Sequence, residues 1–360
     1  MVRPLDKEQG AQREGGKRMN RRIRSAAAML LTLILVLTSA GCSGPAPSGS
    51  GNGGQDGEKP YAGKTIGVSL WDMRQQYFIA MYEGMEAAAA DYGIKLNLQD
   101  QENDSGRQNT QLENFMSMGV DGMIVCAIDG EAADTLVKQA ADQGIPTVAE
   151  GVEIKSAAVW QNWIEYDYGY TVGKMAAEWI NETYPDEEKV YCGVIGESYS
   201  QQLVDRTEGI IDGLTENTDK ASILDTQNSY SMEEAIKITE NWMQEYPQMR
   251  VICGIDDDNG GLGANEALNA VVAEKNRWQY GVFGADGVAE ALKRIAEGGC
   301  YKGTVDIDPY GQGYNCVELM IKLWEGENVD PFILVDSSKT ITTKNIGDYV
   351  DESGNVISRQ

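Results

Sequence analysis

The chain has 360 residues, 42% of them hydrophobic, with 30 Lys and Arg against 56 Asp and Glu and a net charge of −26. That length exceeds one ordinary domain and suits two, and the charge repels nucleic acid and anionic lipid. The complete lack of histidine removes Ser-His-Asp triads, Cys-His dyads and zinc sites of the usual kind.

Residues 1–41 read as a signal peptide. Lys17, Arg18, Arg21, Arg22 and Arg24 form a charged start, residues 26–37 an apolar stretch, and "TSAG" a run of small residues before Cys42. The apolar stretch is short for a spanning helix, which needs about 20 residues. The small residues before Cys42 resemble a bacterial lipobox, with Ser39 where Leu is usual. Lipidation is therefore expected at Cys42. Residues 42–60 are Gly, Ser and Pro with almost no large apolar group. They read as a flexible tether holding a soluble body at the outer face of the cell membrane. Without the leader the net charge is −31, which suits a neutral or cationic ligand. Solubility is the blander account of that charge.

From Lys64 onward, short β-branched runs alternate with longer amphipathic ones. "KTIGVSL" predicts a strand and 76–92 a helix, "IKLNLQD" a strand and 107–118 a helix, "DGMIVCAI" a strand and 131–143 a helix. "IPTVAE" predicts a further strand. Leu112, Phe115 and Met116 recur at helical spacing. Gly93, Gly119 and Gly144 each fall where a helix needs a left-handed stop. The rhythm restarts with "EKVYCGVIGES" and 203–216, "ASILDTQ" and 231–246, "MRVICGID" and 259–273, "WQYGVFGADG" and 287–297. β-α units in series predict an α/β fold of two doubly wound parallel-sheet lobes. The 311–325 helix and "FILVD" come after the second half and are read as returning to the first, giving a three-crossing hinge. The expected lobes are 61–164 plus 308–335 and 165–307 plus 336–350.

Five cysteines come after Cys42. Cys126, Cys192 and Cys253 sit in apolar strand-like runs and read as small buried hydrophobes, while a bridge between Cys300 and Cys316 stays open. "DQENDSGRQN" has acids at spacing two, but its Gly comes one place late and position twelve is Gln111, against calcium. "GGLGANEA" lacks the strand–GxGxxG order of a dinucleotide site. No spacing singles out a carboxylate pair for glycoside hydrolysis. No cofactor, metal or enzymatic activity is expected.

Open parallel sheets take ligands outside the carboxyl ends of their strands. "WDMRQQYF" (71–78) comes directly after the first strand, so its aromatic and polar side chains are expected to face a cleft between the lobes. "VWQNWIEYDYGY" places a second aromatic cluster near the hinge, where packing alone explains most of it.

Over about residues 61–345 the chain resembles the type I periplasmic sugar-binding proteins, the solute receptors of ribose- and galactose-type ABC importers. The resemblance rests on "TIGVSLWDMRQQYFIAMYEGMEAAA", "QENDSGRQNTQLENFMSMGVDGMIVCAID", "AADQGIPTVAEGV", "YDYGYTVGKMAAEWI", "DRTEGIIDGL", "VICGIDDDNGGLGANEAL" and "YGVFGADGVAEALKRI", in order behind a lipoprotein-like leader. It implies a sugar ring between two aromatic rings, a role falling to Tyr77 and Phe78 or to Trp71. It also implies polar ligand roles for Gln75, Glu150, Asp257 and Asp286. Cys126 falls where the family often has a polar ligand residue. Gly151 and Val204 stand where arginines are frequent, and Arg206 either substitutes or is structural. Acids at Asp72, Glu150, Asp257 and Asp286 therefore outnumber cations, which points from ribose toward a larger polyol, an aminated sugar or another cationic solute. The implied partners are ABC permease subunits. A sensing module that signals to a chemoreceptor or sensor kinase is the alternative. A sugar-responsive repressor would need a helix-turn-helix, and none is seen.

Overall fold

The computed structural model describes residues 59–351 and 353–357. The expected signal peptide, Cys42 and all but the last two residues of the tether lie outside the described residues. Among the described residues no helix is long and apolar enough to cross a membrane.

The first lobe begins with β1 (Thr65–Leu70), α1 (Gln76–Tyr92), β2 (Lys95–Asp100), α2 (Ser105–Met118), β3 (Gly122–Val125), α3 (Gly130–Asp142), β4 (Thr147–Glu150) and β5 (Val159–Asn162). The second holds α4 (Glu165–Thr183), β6 (Val190–Gly196), α5 (Gln201–Glu216), β7 (Ala221–Asn228), α6 (Met232–Glu245), β8 (Met249–Gly254), α7 (Leu262–Val271), β9 (Gly281–Asp286), α8 (Ala289–Ala296) and β10 (Tyr301–Asp306). Then α9 (Pro309–Glu325) and β11 (Phe332–Leu334) rejoin the first lobe, and β12 (Thr340–Thr342) joins the second sheet.

The sheets run β11-β5-β4-β3-β1-β2 and β12-β10-β9-β8-β6-β7. Every pairing is parallel except β10 with β12. Parallel sheets need both faces covered, which is why β1, β3, β4 and β9 are almost wholly buried. The helix stops are as the glycines suggest: Gly93 and Gly119 take φ of 81° and 66°, and their amides close the last turns of α1 and α2.

The chain passes between the sheets three times: after β5, after β10 and between β11 and β12. The passages are bonded to neighbouring strands, Val335 N–H to the Asn162 carbonyl and Asp306 N–H to the Lys339 carbonyl, both at 2.8 Å.

Three strands depart from the sequence expectation. β5 reads "VWQN" and buries Gln161 and Asn162, so no apolar run announces it. β10 ("YKGTVD") buries Lys302, and β12 has three residues and pairs antiparallel. The predicted 259–273 helix divides into a π-helical turn, Asp257–Gly261, and α7. All five described cysteines are free buried thiols; Cys300 precedes β10 in the second lobe and Cys316 lies on α9 in the first, so no bridge joins them.

Candidate functional site

The carboxyl ends of both sheets open on one cavity of about 850 Å³. β1 ends at Leu70, and the loop 71–75 with the first turn of α1 delivers Trp71, Gln75, Tyr77 and Phe78 to its wall. Cys126 arrives after β3, Glu150 ends β4, and Trp163 and Glu165 come after β5. The second lobe supplies Glu197 and Tyr199 after β6, Arg206 from α5, Asp256 and Asn259 after β8, and Asp286 at the end of β9.

Eight of the ten residues singled out in the sequence therefore line one cavity: Trp71, Gln75, Tyr77, Phe78, Cys126, Glu150, Arg206 and Asp286. Two do not. Asp72 turns back to Arg74, accepting from its Nε at 2.9 Å, and that guanidinium holds the Asp72 carboxyl below its usual range. Asp257 is fully buried between β9 and β10. It accepts from the Gly287 and Val288 amides at 3.0 and 3.1 Å, from the Thr304 hydroxyl at 2.9 Å and from Tyr301. Its neighbour Asp256 faces the cavity instead, capping the π-helical turn by accepting from the Asn259 amide. The sequence reading favoured Asp257, but the π turn sets which acid faces inward and turns Asp256 there instead. Glu165, Glu197 and Asn259 were not foreseen; an acid after a strand looks like any solvated loop acid.

An aromatic series runs along the cavity. Tyr199 lies 6.2 Å from Trp71 across the two lobes, Trp71 6.5 Å from Phe78, and Phe78 5.0 Å from Tyr77 in an edge contact. Tyr77 then meets Trp163 at 6.2 Å, and Trp163 meets Tyr168 at 5.7 Å. Flat apolar faces of this kind suit the C–H faces of sugars and cyclitols.

The polar wall is acidic. Arg206 is the one cation among the described lining residues, and its Nε donates to Glu165 at 2.6 Å while its guanidinium lies 4.7 Å from the Tyr168 ring. Asp286 accepts from the Tyr168 hydroxyl at 2.6 Å and holds a backbone φ of 105°, a strained value for a residue with a Cβ. Glu150 accepts from the Tyr77 hydroxyl at 3.3 Å, and its other oxygen, Oε2, is buried with no hydrogen-bond partner. Trp163 Nε1 is likewise buried and unmatched. Unsatisfied buried polar groups cost about 1–3 kcal/mol each, so a carboxyl oxygen and an indole N–H stand ready for a polar guest.

Burial pushes Glu150 and Glu197 up to about 8, and it pushes Asp258 up to about 7. A carboxyl whose folded pKa lies above its unfolded value adds stability that is complete below the unfolded pKa and is lost as pH rises through the folded one. For Glu150 and Glu197 that window runs from 4.5 to about 8. The melting temperature of the ligand-free protein is accordingly expected to fall as pH climbs through this window, and Glu150→Gln to fall less steeply. Thermal melts across the window check this; a Glu150→Gln slope equal to the parent's would contradict the assignment.

The lobes also complete each other's helices. Neither α1 nor α8 has a side-chain cap within its own lobe. Asp258 of the second lobe accepts from the Tyr77 amide of α1 at 3.2 Å, and Gln76 of the first accepts from the Glu290 amide of α8 at 3.4 Å.

Known proteins share this architecture. The profile of the periplasmic binding protein domain matches residues 66–328. A Rhizobium meliloti protein named for rhizopine binding is 27% identical over 79% of this chain and 92% of its own. The ribose import binding protein of Bacillus subtilis is 26% identical over 65% of this chain and 73% of its own. A solute-binding protein of an ABC transporter from Bacillus halodurans, solved with myo-inositol bound, superposes with a TM-score of 0.68 at 26% identity, covering 83% of this chain and 99% of the other.

Proposed function

We propose, since this chain belongs to the periplasmic binding protein domain family, that it captures a sugar or sugar-like polyol between its lobes and delivers it to an ABC import permease. It acts as a receptor and catalyses no reaction. The observation that carries this reading is the cavity itself. Flat aromatic faces sit beside two buried polar atoms that lack partners, the carboxyl oxygen Glu150 Oε2 and the indole Trp163 Nε1, which is the chemistry of a hydroxylated ring. The ribose and myo-inositol named for two relatives support the ligand class.

Ligand-driven closure rests on differential contact. A solute bound to the first lobe gains the second lobe's groups only when the lobes approach, and it can shift that equilibrium no further than this added affinity. The lipobox-like residues before Cys42 and the polar tether after it support attachment to the outer face of the cell membrane. Such an anchor keeps the receptor near its permease.

A thermal-shift panel of pentoses, hexoses, cyclitols and linear polyols against the full mature chain tests the reading. At least one compound is expected to raise the melting temperature by several degrees and to bind at about micromolar concentration, where binding is worth about 8 kcal/mol. No response from any hydroxylated compound would end it. Labelled palmitate incorporated by the parent chain and lost in Cys42→Ser tests the anchor separately.

A further inference from the structure

Among the described residues lining the cavity there are eight carboxylates, counted with Asp129, Glu131 and Glu153 at its edge, and one cation. That cation is already matched: Arg206 and Glu165 form a buried pair at 2.6 Å. The remaining deep acids divide between the lobes. In the second lobe, Asp286 has the Tyr168 hydroxyl, while Asp256 and Glu197 share the side-chain amide of Asn259 at 2.9 and 3.2 Å. In the first lobe Glu150 has a long bond from Tyr77, the weak donor thiol of Cys126 beside it, and an oxygen, Oε2, with no partner, though it is wholly buried. Trp163 Nε1, more than nine-tenths buried and also on the cavity wall, is a second unmatched atom.

Desolvation holds the buried acids Glu150 and Glu197 neutral in the empty cavity, and ionising them in a low-dielectric space needs a positive charge beside them. A hydroxyl offers only a dipole. An ammonium offers a full charge and three donors, enough to serve carboxyl groups from both sides at once.

We propose that the solute is a hydroxylated ring carrying a protonated amine, its ammonium held between Glu150 of the first lobe and the carboxylates of the second, with a ring oxygen accepting from Trp163 Nε1. This rests on reading the chain as a receptor for hydroxylated solutes and narrows the class. The amine then acts as the link between lobes, because only the closed form surrounds it with acids from both.

Such a guest leaves a protonic signature. In the empty cavity burial holds Glu150 protonated up to about pH 8. The charged or titratable groups that face it are Tyr77 of α1, the Cys126 thiol after β3, Cys316 of α9 and Glu165 at the start of α4. None of these is a cation. An arriving ammonium supplies the missing positive charge, so Glu150 ionises and its proton leaves to solvent. A neutral polyol makes no such demand, and Glu150 keeps its proton as a donor to a hydroxyl.

The experiment pairs compounds that differ by one hydroxyl-to-amine replacement: D-glucosamine with D-glucose, D-galactosamine with D-galactose, and a monoamino inositol with myo-inositol. Binding to the full mature chain is measured by calorimetry near pH 7 in two buffers of different ionisation enthalpy. In at least one pair the amine is expected to bind about tenfold tighter or more, with release of about one proton and affinity rising with pH up to about 8. In Glu150→Gln the amine-to-hydroxyl ratio is expected to collapse, and melting of the empty variant shows whether it is folded. The buffer comparison on the parent chain needs no variant. Tighter or equal binding of the neutral members, without proton release, overturns the amine while leaving the polyol receptor standing. Silence from both members of every pair overturns the receptor reading and the amine with it.

Discussion

Replacing Arg206 with alanine is expected to lower the unfolding free energy by about 3–5 kcal/mol, the range for removing one partner of a buried ion pair. Arg206 is 6% exposed; its guanidinium bonds Glu165 at 2.6 Å and the Ile255 carbonyl at 3.3 Å, and it lies 4.7 and 5.8 Å from the Tyr168 and Trp163 rings. Without it, Glu165 stays largely buried beside Glu197, Asp256 and Asp286 with no cation in the cavity. The pair is not itself a large source of stability, since desolvation offsets much of its attraction. Arg206→Met with Glu165→Leu is therefore expected to recover most of the loss, as an apolar pair of similar volume. It should fold well and hold solute more weakly, because two polar side chains have left the cavity wall. Urea denaturation of the two single variants and the double gives the coupling. A loss under about 1 kcal/mol for Arg206→Ala would mean that water reaches the guanidinium and that its role is peripheral.

Gly209→Ala is expected to cost about 2–3 kcal/mol despite alanine's advantage of about 1 kcal/mol within a helix. α4 and α5 cross at a pair of small-residue stripes, each with glycines four positions apart. A Cβ at Gly169 would lie 1.9 Å from the Arg206 carbonyl oxygen and one at Gly173 2.1 Å from that of Ile210. From the other side, Gly209 would meet the Tyr166 oxygen at 2.2 Å and Gly213 that of Tyr170 at 2.1 Å. The obstacles are backbone atoms, which cannot swing aside. One added methyl must push the helices apart, and the same displacement separates Arg206 on α5 from Glu165 at the start of α4. Stability and solute affinity should fall together. Gly347→Ala is the control: nothing lies within 4 Å of its added carbon, so a change within about 0.5 kcal/mol is expected. Equal effects at Gly209 and Gly347 would show that the crossing tolerates separation.

The parts of this fold that show in the sequence are those where one local rule suffices. β1, β3 and β4 are apolar runs bounded by turn residues, and Gly93 and Gly119 stop helices by the conformation only glycine takes easily. The aromatic loop after β1 was legible for the same reason: the carboxyl end of a parallel strand delivers the next loop to the ligand edge of the sheet. The hidden parts depend on partners distant in the chain. β5 is a strand because β4 and β11 flank it, and its Gln161 is satisfied by α9, donating to the Gln312 carbonyl and accepting from Asn315. The choice of Asp256 over Asp257 depends on a turn pressed against β8 and Tyr301, where added carbons on Gly260 and Gly261 would strike backbone at 2.8 Å and the phenol oxygen at 2.2 Å. No local pattern encodes that contact. The surplus of acids was visible, but Asp72 and Asp257 bond away from the cavity, and Glu197 and Asp256 stand on its wall instead.

The exchange of helix caps between the lobes has a cost when they separate. With the halves apart, the first turns of α1 and α8 surrender their borrowed acceptors to solvent, a loss of about 1 kcal/mol at each end. Even a vacant receptor is thereby drawn toward the shut shape. A partner that recognised the closed outline alone would meet idle copies that look full, so cargo has to be told from emptiness by something besides silhouette.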